Sequence, residues 1–188
     1  MSDKRYMCYI IGEPGSGKTT LCRAITAGLR RKVKTVPYVS WTHFGGDICE
    51  IGHDRETFGG TDALGMAAQN HVLDWLINGE GKRYKYVLAE GDRLANGKFF
   101  DAVWAAGINL TVYALVPPAK VIEKRRRARN EAIGKQQDER WLKTRATKVA
   151  NLTHHVVDPD NRLSMRPDAV QEYLESRDPV IRQFVKLR

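Results

Sequence analysis

Cysteine is scarce in this chain, three in 188 residues, and the three are scattered. Cys8, Cys22 and Cys49 are odd in number and show no close-spaced pair, which excludes a disulfide framework and a zinc ribbon or finger. Their settings, a strand for Cys8 and a helix for Cys22, predict small core residues in a reducing compartment. Long apolar runs are missing too. None approaches the roughly 20 residues that cross a bilayer as a helix, so no membrane partner is expected. Met1 to Arg5 leads straight into a predicted strand, which leaves no room for a signal peptide and predicts a cytoplasmic location, a host's if the gene is a phage's. There is no internal repeat and no low-complexity tract. Acidic residues are in deficit, 22 against 31 Lys and Arg, for a net charge of +9. From Lys120 to Lys148 there are 11 Lys/Arg against 4 Asp/Glu, so most of the excess lies in one segment. Such a segment suits phosphates, of a nucleotide or of a nucleic acid, and equally a solvated helix face. With 42% hydrophobic residues the chain is ordinary for one globular domain spanning 1–188.

What is present centres on Gly12-Glu13-Pro14-Gly15-Ser16-Gly17-Lys18-Thr19, which fits G-x-x-x-x-G-K-[ST]. Glycines allow positive φ and bring amide N–H groups close to phosphate oxygens. Lys18 reaches the β- and γ-phosphates as a compact charge, and the Thr19 hydroxyl can ligate Mg²⁺. The apolar run Tyr6 to Ile11 precedes the loop, and Thr20 to Arg30 reads as a helix after it. Strand, glycine loop and helix are the context that a phosphate-binding loop needs. ATP and Mg²⁺ are the expected cofactors. The motif does not choose between a kinase, a hydrolase and a switch.

Lys32 to Trp41 reads as a strand interrupted by Pro37, and Val39–Phe44 with Ile48–Ile51 as a hairpin around Gly45-Gly46. A glycine-rich, charged loop follows, from Gly52 to Asp62. Thr61 or Asp62 is placed to cap a helix running to Asn78. Tyr86–Ala89 reads as a buried parallel strand with Glu90-Gly91-Asp92-Arg93 at its carboxyl end. Gly97–Ala106 is a helix, Asn109–Val116 a strand, Ala119–Glu131 and Asp138–Leu152 basic helices, and Val156-Val157 a last strand. A helix from Arg166 to Ser176 closes the pattern. The alternation predicts a three-layer α/β fold: a parallel sheet flanked by helices, with residues 119–152 as a basic helical lid.

Phosphoryl transfer needs a cradle, Mg²⁺, a group that orients the acceptor, and cations around the moving group. Gly12 to Thr20 form the cradle. Glu90 and Asp92 stand where ligands bind in open α/β sheets and suit Mg²⁺ or the acceptor. Asp92 joins Thr19 as the metal assignment, and Asp62 is a rival general base. Arg125 and Arg129 share a helix face and can clamp phosphates. With Arg126, Arg140, Lys143, Arg145 and Lys148 they form the lid's cations. Arg55, Phe58, Thr61, Asp62, Arg93 and Arg145 are assigned to the acceptor side. Phe58, Trp41 and Phe44 suit base stacking or the core. His154 and His155, neighbours on a predicted strand, face opposite ways and read as structural.

The G-x-P-G-x-G-K form of the loop resembles that of adenylate kinase-like enzymes, Asp92-Arg93 resembles the Asp-Arg pair of thymidylate kinases, and the arginine helix resembles the lid of nucleoside monophosphate kinases. No full substrate signature of adenylate or thymidylate kinases accompanies them. Phe58-Gly59-Gly60-Thr61-Asp62-Ala63-Leu64 is similar to bacteriophage 5-hydroxymethyluridine DNA kinases, as is the segment from Arg145 to Leu152. That resemblance implies transfer of the ATP γ-phosphoryl to a base hydroxymethyl in DNA. Lys18 and Thr19 would serve ATP and Mg²⁺. Asp62, Glu90 or Asp92 would orient the hydroxymethyl group, Arg55 would engage the DNA strand or the target nucleotide, and Arg125 and Arg129 would stabilise the moving phosphoryl. A kinase of free nucleotides or nucleosides is the alternative within the class. A nucleic-acid-stimulated ATPase or ATP-binding module is the alternative outside it.

Overall fold

A computed structural model describes residues 4–53, 59–134 and 136–188. Its spine is β1, Arg5–Gly12, whose last six residues are buried. Successive side chains of a strand point to opposite faces, so β1 feeds two cores. Met7, Tyr9 and Ile11 enter one, and Cys8 and Ile10 enter the other. This alternation of large apolar residues on both faces makes β1 a central strand with helices above and below.

The elements follow as α1 (Lys18–Ile25), β2 (Lys32–Val36), β3 (Val39–Gly45), β4 (Ile48–Ile51), α2 (Ala68–Ile77) and β5 (Tyr86–Glu90). Then come α3 (Gly97–Ala105), β6 (Ile108–Leu115), α4 (Ala119–Ile133), α5 (Glu139–Val156), β7 (Arg162–Leu163), α6 (Pro167–Arg177) and α7 (Pro179–Lys186). They build one seven-stranded sheet in the order β2-β3-β4-β5-β1-β6-β7. The pairs β4–β5, β5–β1, β1–β6 and β6–β7 are parallel. The edge is not: β2–β3 and β3–β4 are antiparallel. The expected parallel sheet is therefore a parallel centre with an antiparallel flank. The hairpin expected from Val39–Phe44 and Ile48–Ile51 supplies one antiparallel pair, and Pro37 adds the other by turning the predicted single strand into a hairpin with Val36 opposite Val39.

One core packs Trp41, Val72, Trp75, Phe99, Phe100 and Val103 from α2, α3 and the sheet. The other packs Leu21, Ile25, Leu174, Ile181 and Phe184 from α1, α6 and α7. Each such large side chain contributes about 1.5–3 kcal/mol by burial. Cys8 and Cys22 are buried, as expected of small core residues, and so is Cys49. Burial pushes the Cys8 and Cys22 thiols well up, so both stay neutral.

Several boundaries differ from the sequence reading. The helix after the glycine loop stops at Ile25, where the Thr26 hydroxyl turns back to the Cys22 carbonyl at 2.9 Å. The helix expected from Ala63 begins at Ala68, after a 3-10 turn over Gly60–Ala63. Asp62 does not cap it; its carboxylate serves the Asp92 turn instead. Val156 ends α5 rather than forming a strand, and the last strand is Arg162–Leu163. His154 and His155 consequently lie in a helix, with ring centroids 4.9 Å apart. Trp41 and Phe44 are core residues against Trp75 and Phe184, at 4.8 and 5.1 Å.

The helix α7 was not expected, although its signal, Asp178 followed by Pro179, stands in the sequence. Asp178 Oδ1 accepts from the Val180 and Ile181 N–H groups at 2.8 and 3.0 Å, and Tyr113 donates to Oδ2 at 3.1 Å. Burial raises the Asp178 carboxyl above its ordinary 3.8. A raised carboxyl makes ionisation unfavourable to folding, an effect absent at low pH and growing as pH rises through the folded-state value. Asp178→Asn keeps the cap and removes that burden, so its Tm at pH 7 should equal or exceed wild type. Asp178→Ala should lose about 1–2 kcal/mol. Thermal melts of the two variants check this.

Candidate active site

The carboxyl ends of β1 and β5 lie side by side, with Ile10 opposite Glu90. Everything predicted to carry chemistry on these strands therefore converges on one edge of the sheet. The loop from Gly12 to Thr19 leaves β1 there and enters α1 through Gly17, whose φ of 102° is the left-handed region that glycine fills without strain. A Cβ at Gly17 would stand 3.0 Å from Arg125 Nη1. The Ser16 hydroxyl is buried and has no hydrogen-bond partner among the described residues. A polar, glycine-lined cradle with an orphaned hydroxyl fits a triphosphate.

Lys18 folds back over this loop, donating to the Gly12 and Glu13 carbonyls at 2.8 and 3.3 Å. The Thr19 hydroxyl donates to Glu90 Oε1 at 2.9 Å. Glu90 is buried. The Thr19–Glu90 pair is a suitable Mg²⁺ platform, since a hard cation favours a hydroxyl, a carboxylate and phosphate oxygens. Among the described residues no group of three or more His, Cys, Asp or Glu side chains forms a metal cage.

Asp92 is placed differently from Glu90. It forms ion pairs with Arg145 and with Lys148, the latter at 2.9 Å, and Lys148 also donates to the Asp92 carbonyl at 2.9 Å. Two cations of α5 are thereby tied to the end of β5. Asp62 holds the same turn from the other side. Its Oδ1 accepts from the Asp92 and Arg93 N–H groups at 2.8 and 3.0 Å, which leaves Oδ2 for an acceptor. Thr61, fully buried, shares a hydrogen bond with the Tyr9 hydroxyl at 3.2 Å, and Tyr9 donates to the Gly91 carbonyl at 3.1 Å. Tyr9 had no part in the sequence reading. Its signal was a tyrosine in an apolar strand, whose hydroxyl needs a partner once buried. Burial pushes its hydroxyl well up, so it stays a neutral donor.

The 3-10 turn carrying Asp62 fits only because residue 60 is glycine. Gly60 has φ of 55°, and a Cβ there would stand 2.5 Å from the Glu90 carbonyl oxygen and 2.7 Å from its Cγ. Gly60→Ala should therefore cost about 2–3 kcal/mol and displace Glu90 from Thr19. Calorimetry should show Tm lower by about 5–10 °C.

The lid closes the site from above. Arg125 donates to the Ser16 carbonyl at 2.7 Å, and Arg126 to the Pro14 carbonyl at 2.7 Å and Glu13 Oε2 at 2.8 Å. Gly134, left-handed at φ 62°, ends α4. From α5, Arg145 lies over the Trp141 ring, 5.4 Å from its centroid. Between loop and lid is a cavity of about 450 Å³, within the size range of ligand sites. Gly12, Pro14, Gly15, Gly17, Lys18, Thr19, Thr20, Asp62, Asp92, Arg93, Arg125, Arg129 and Arg145 line it. The structure thus brings most of the expected residues into one space. Glu13 and Ser16 support the cradle, and Thr61 and Glu90 sit beneath it. Arg55 and Phe58 lie outside the described residues. No helix among the described residues is long and apolar enough to cross a membrane.

The family model described as P-loop Nucleotide Kinase3 matches residues 3–186. A crystal structure of a sugar kinase from Janibacter sp. HTCC2649 aligns at 14% identity and a TM-score of 0.45, covering 94% of this chain and 98% of that one. The cytosolic domain of the T. maritima FeoB iron transporter in its GMPPNP form aligns at 14% identity and a TM-score of 0.25, covering 97% and 86%. At such scores neither likeness carries an argument. No curated protein gives a significant match.

Proposed function

The chain belongs to the P-loop Nucleotide Kinase3 family, and from that premise we propose that it transfers the γ-phosphoryl group of ATP to a free nucleotide or nucleoside. The observation that carries the reading is the cavity between loop and lid, which Asp62, Lys18, Arg125 and Arg129 line together. An acceptor oxygen attacks Pγ; the new P–O bond forms as the bond to the β-phosphate oxygen breaks, and ADP departs with that electron pair. Asp62 orients the acceptor and, where it is a hydroxyl, takes its proton through Oδ2. Lys18 and Arg125, with Arg129, offset the charge on the phosphoryl oxygens. Thr19 and Glu90 would hold Mg²⁺, which would supply positive charge against the phosphate oxygens. Asp92 keeps the lid cations Arg145 and Lys148 in place, and Arg93 lies on the acceptor side.

A second reading, a kinase of the base hydroxymethyl group of 5-hydroxymethyluridine in DNA, is favoured by the string from Phe58 to Leu64 and by the basic excess between Lys120 and Lys148. On it, Arg55, Phe58 and Arg145 would serve the DNA strand or the target base, while Thr61, fully buried against the Tyr9 hydroxyl, acts from beneath rather than by contact.

One experiment separates the readings. The protein is incubated with Mg²⁺ and ATP labelled at the γ-phosphate, together with free nucleosides and nucleotides, plain DNA, and DNA carrying 5-hydroxymethyluridine. Label in a monomer supports the first reading. Label only in the modified DNA replaces it with the second. Label released only as inorganic phosphate makes the protein an ATPase and overturns both.

A further inference from the structure

The hairpin joining β2 to β3 turns in two residues, Pro37 and Tyr38, because Val36 pairs with Val39. Tyr38 takes the second position with φ of 66°, the sole positive φ outside glycine among the described residues. Turns with a positive φ there take glycine or asparagine, since a Cβ is strained. The fold does not compensate by burying the ring, which is 61% exposed. Its one aromatic partner among the described residues is His71 of α2, also exposed, stacked at 4.3 Å with planes 16° apart. A strained residue presenting an open aromatic face points to a use outside the fold.

Its place says what the use is. β3 runs antiparallel to β4, so its first residue lies at the same sheet edge as the carboxyl ends of β4, β5 and β1. Three strand spacings separate β3 from β1, about 14 Å. The Tyr38–His71 stack therefore stands on the phosphate-loop edge, beyond Asp62 as seen from Lys18. A cavity of about 200 Å³ opens beside it, lined by Thr35, Tyr38, Ser40, His53, Leu64 and Gly65. His53 Nδ1 and Ser40 Oγ are 2.9 Å apart on its wall. Gly65 follows the 3-10 turn that carries Asp62, so this cavity and the acceptor carboxylate share a segment.

We propose that the Tyr38–His71 stack is the platform for the acceptor's base: a planar nucleobase extends the stack while its reacting oxygen reaches Asp62. The inference rests on the nucleotide-acceptor reading. Tyr38 is a specificity-determining residue in it, remote from the transferred phosphoryl group.

The test uses the full chain as wild type, Tyr38→Gly and Tyr38→Phe. Calorimetric titrations with a non-hydrolysable ATP analogue present measure four probes: purine and pyrimidine nucleoside 5′-monophosphates, a short single-stranded oligonucleotide, and base-free ribose 5-phosphate. Tyr38→Gly relieves the backbone, so its Tm should match or exceed wild type. It should bind base-bearing probes about tenfold more weakly, with ribose 5-phosphate and the ATP analogue unchanged. Tyr38→Phe should behave as wild type. Unchanged affinity of Tyr38→Gly for the base-bearing probes overturns the platform. So does an equal loss for ribose 5-phosphate and the ATP analogue, which would make Tyr38 a structural residue. If wild type binds the ATP analogue but none of the base-bearing probes, the nucleotide-acceptor reading has failed, and the platform fails with it.

Discussion

Replacing Lys18 by alanine should lower phosphoryl transfer by about 10²–10³-fold, the effect of deleting one preorganised donor at a site of developing charge. The ammonium now rests on the Gly12 and Glu13 carbonyls, a short swing from where β- and γ-phosphates would lie. Losing those two hydrogen bonds should cost the fold only about 1–2 kcal/mol. Lys18→Arg should rescue little, because a planar fork does not fill the place of a compact ammonium. Labelled-phosphate transfer on protein whose melt remains cooperative is the measurement. Full activity in a folded Lys18→Ala protein would sink the loop mechanism.

The second large effect is expected at Asp62. Asparagine can keep an oxygen toward the Asp92 and Arg93 N–H groups, so the turn survives while the free carboxylate oxygen is lost. Asp62→Asn should reduce kcat by about 10²–10⁴-fold, with affinity for an ATP analogue preserved. The contrast is Asp92→Asn. That change weakens the hold on Arg145 and Lys148, so it should raise the KM for ATP more than it lowers kcat. Steady-state kinetics on both variants decide the roles. A kcat for Asp62→Asn near wild type, with that of Asp92→Asn collapsed, would exchange the two assignments.

The site was legible in proportion to how local its parts are. The strand before Gly12, the loop and Lys18 are contiguous, and glycine spacing encodes their backbone directly. Glu90 and Asp92 were placed by a rule about strand ends, which gave their neighbourhood but not their partners. Thr19 meeting Glu90 follows from the register of β1 on β5, which no local pattern states. Asp62 read either as a general base or as a helix cap, because a capping residue and a turn-pinning carboxylate have the same local sequence. What differs is a donor thirty residues away, the Asp92 amide. Trp41 and Phe44 suited either a base platform or, as isolated aromatics more often do, the core, and Trp75 and Phe184 cover them. Tyr38 gave no such signal, because its φ emerges only when Val36 pairs with Val39.

By itself, then, the sequence determined the elements whose physics is short-range: glycines at a phosphate loop, apolar alternation in β1, basic helices after Pro117-Pro118, and the family to which they belong. Tertiary structure decided what depends on contacts distant in the chain. It made Arg162–Leu163 rather than Val156-Val157 the last strand, set Glu90 rather than Asp92 against Thr19, and tied the lid to Asp92. The reason is common to all three. A hydrogen bond or ion pair between remote residues is selected by the packing that brings them together, and that packing is a property of the whole sheet.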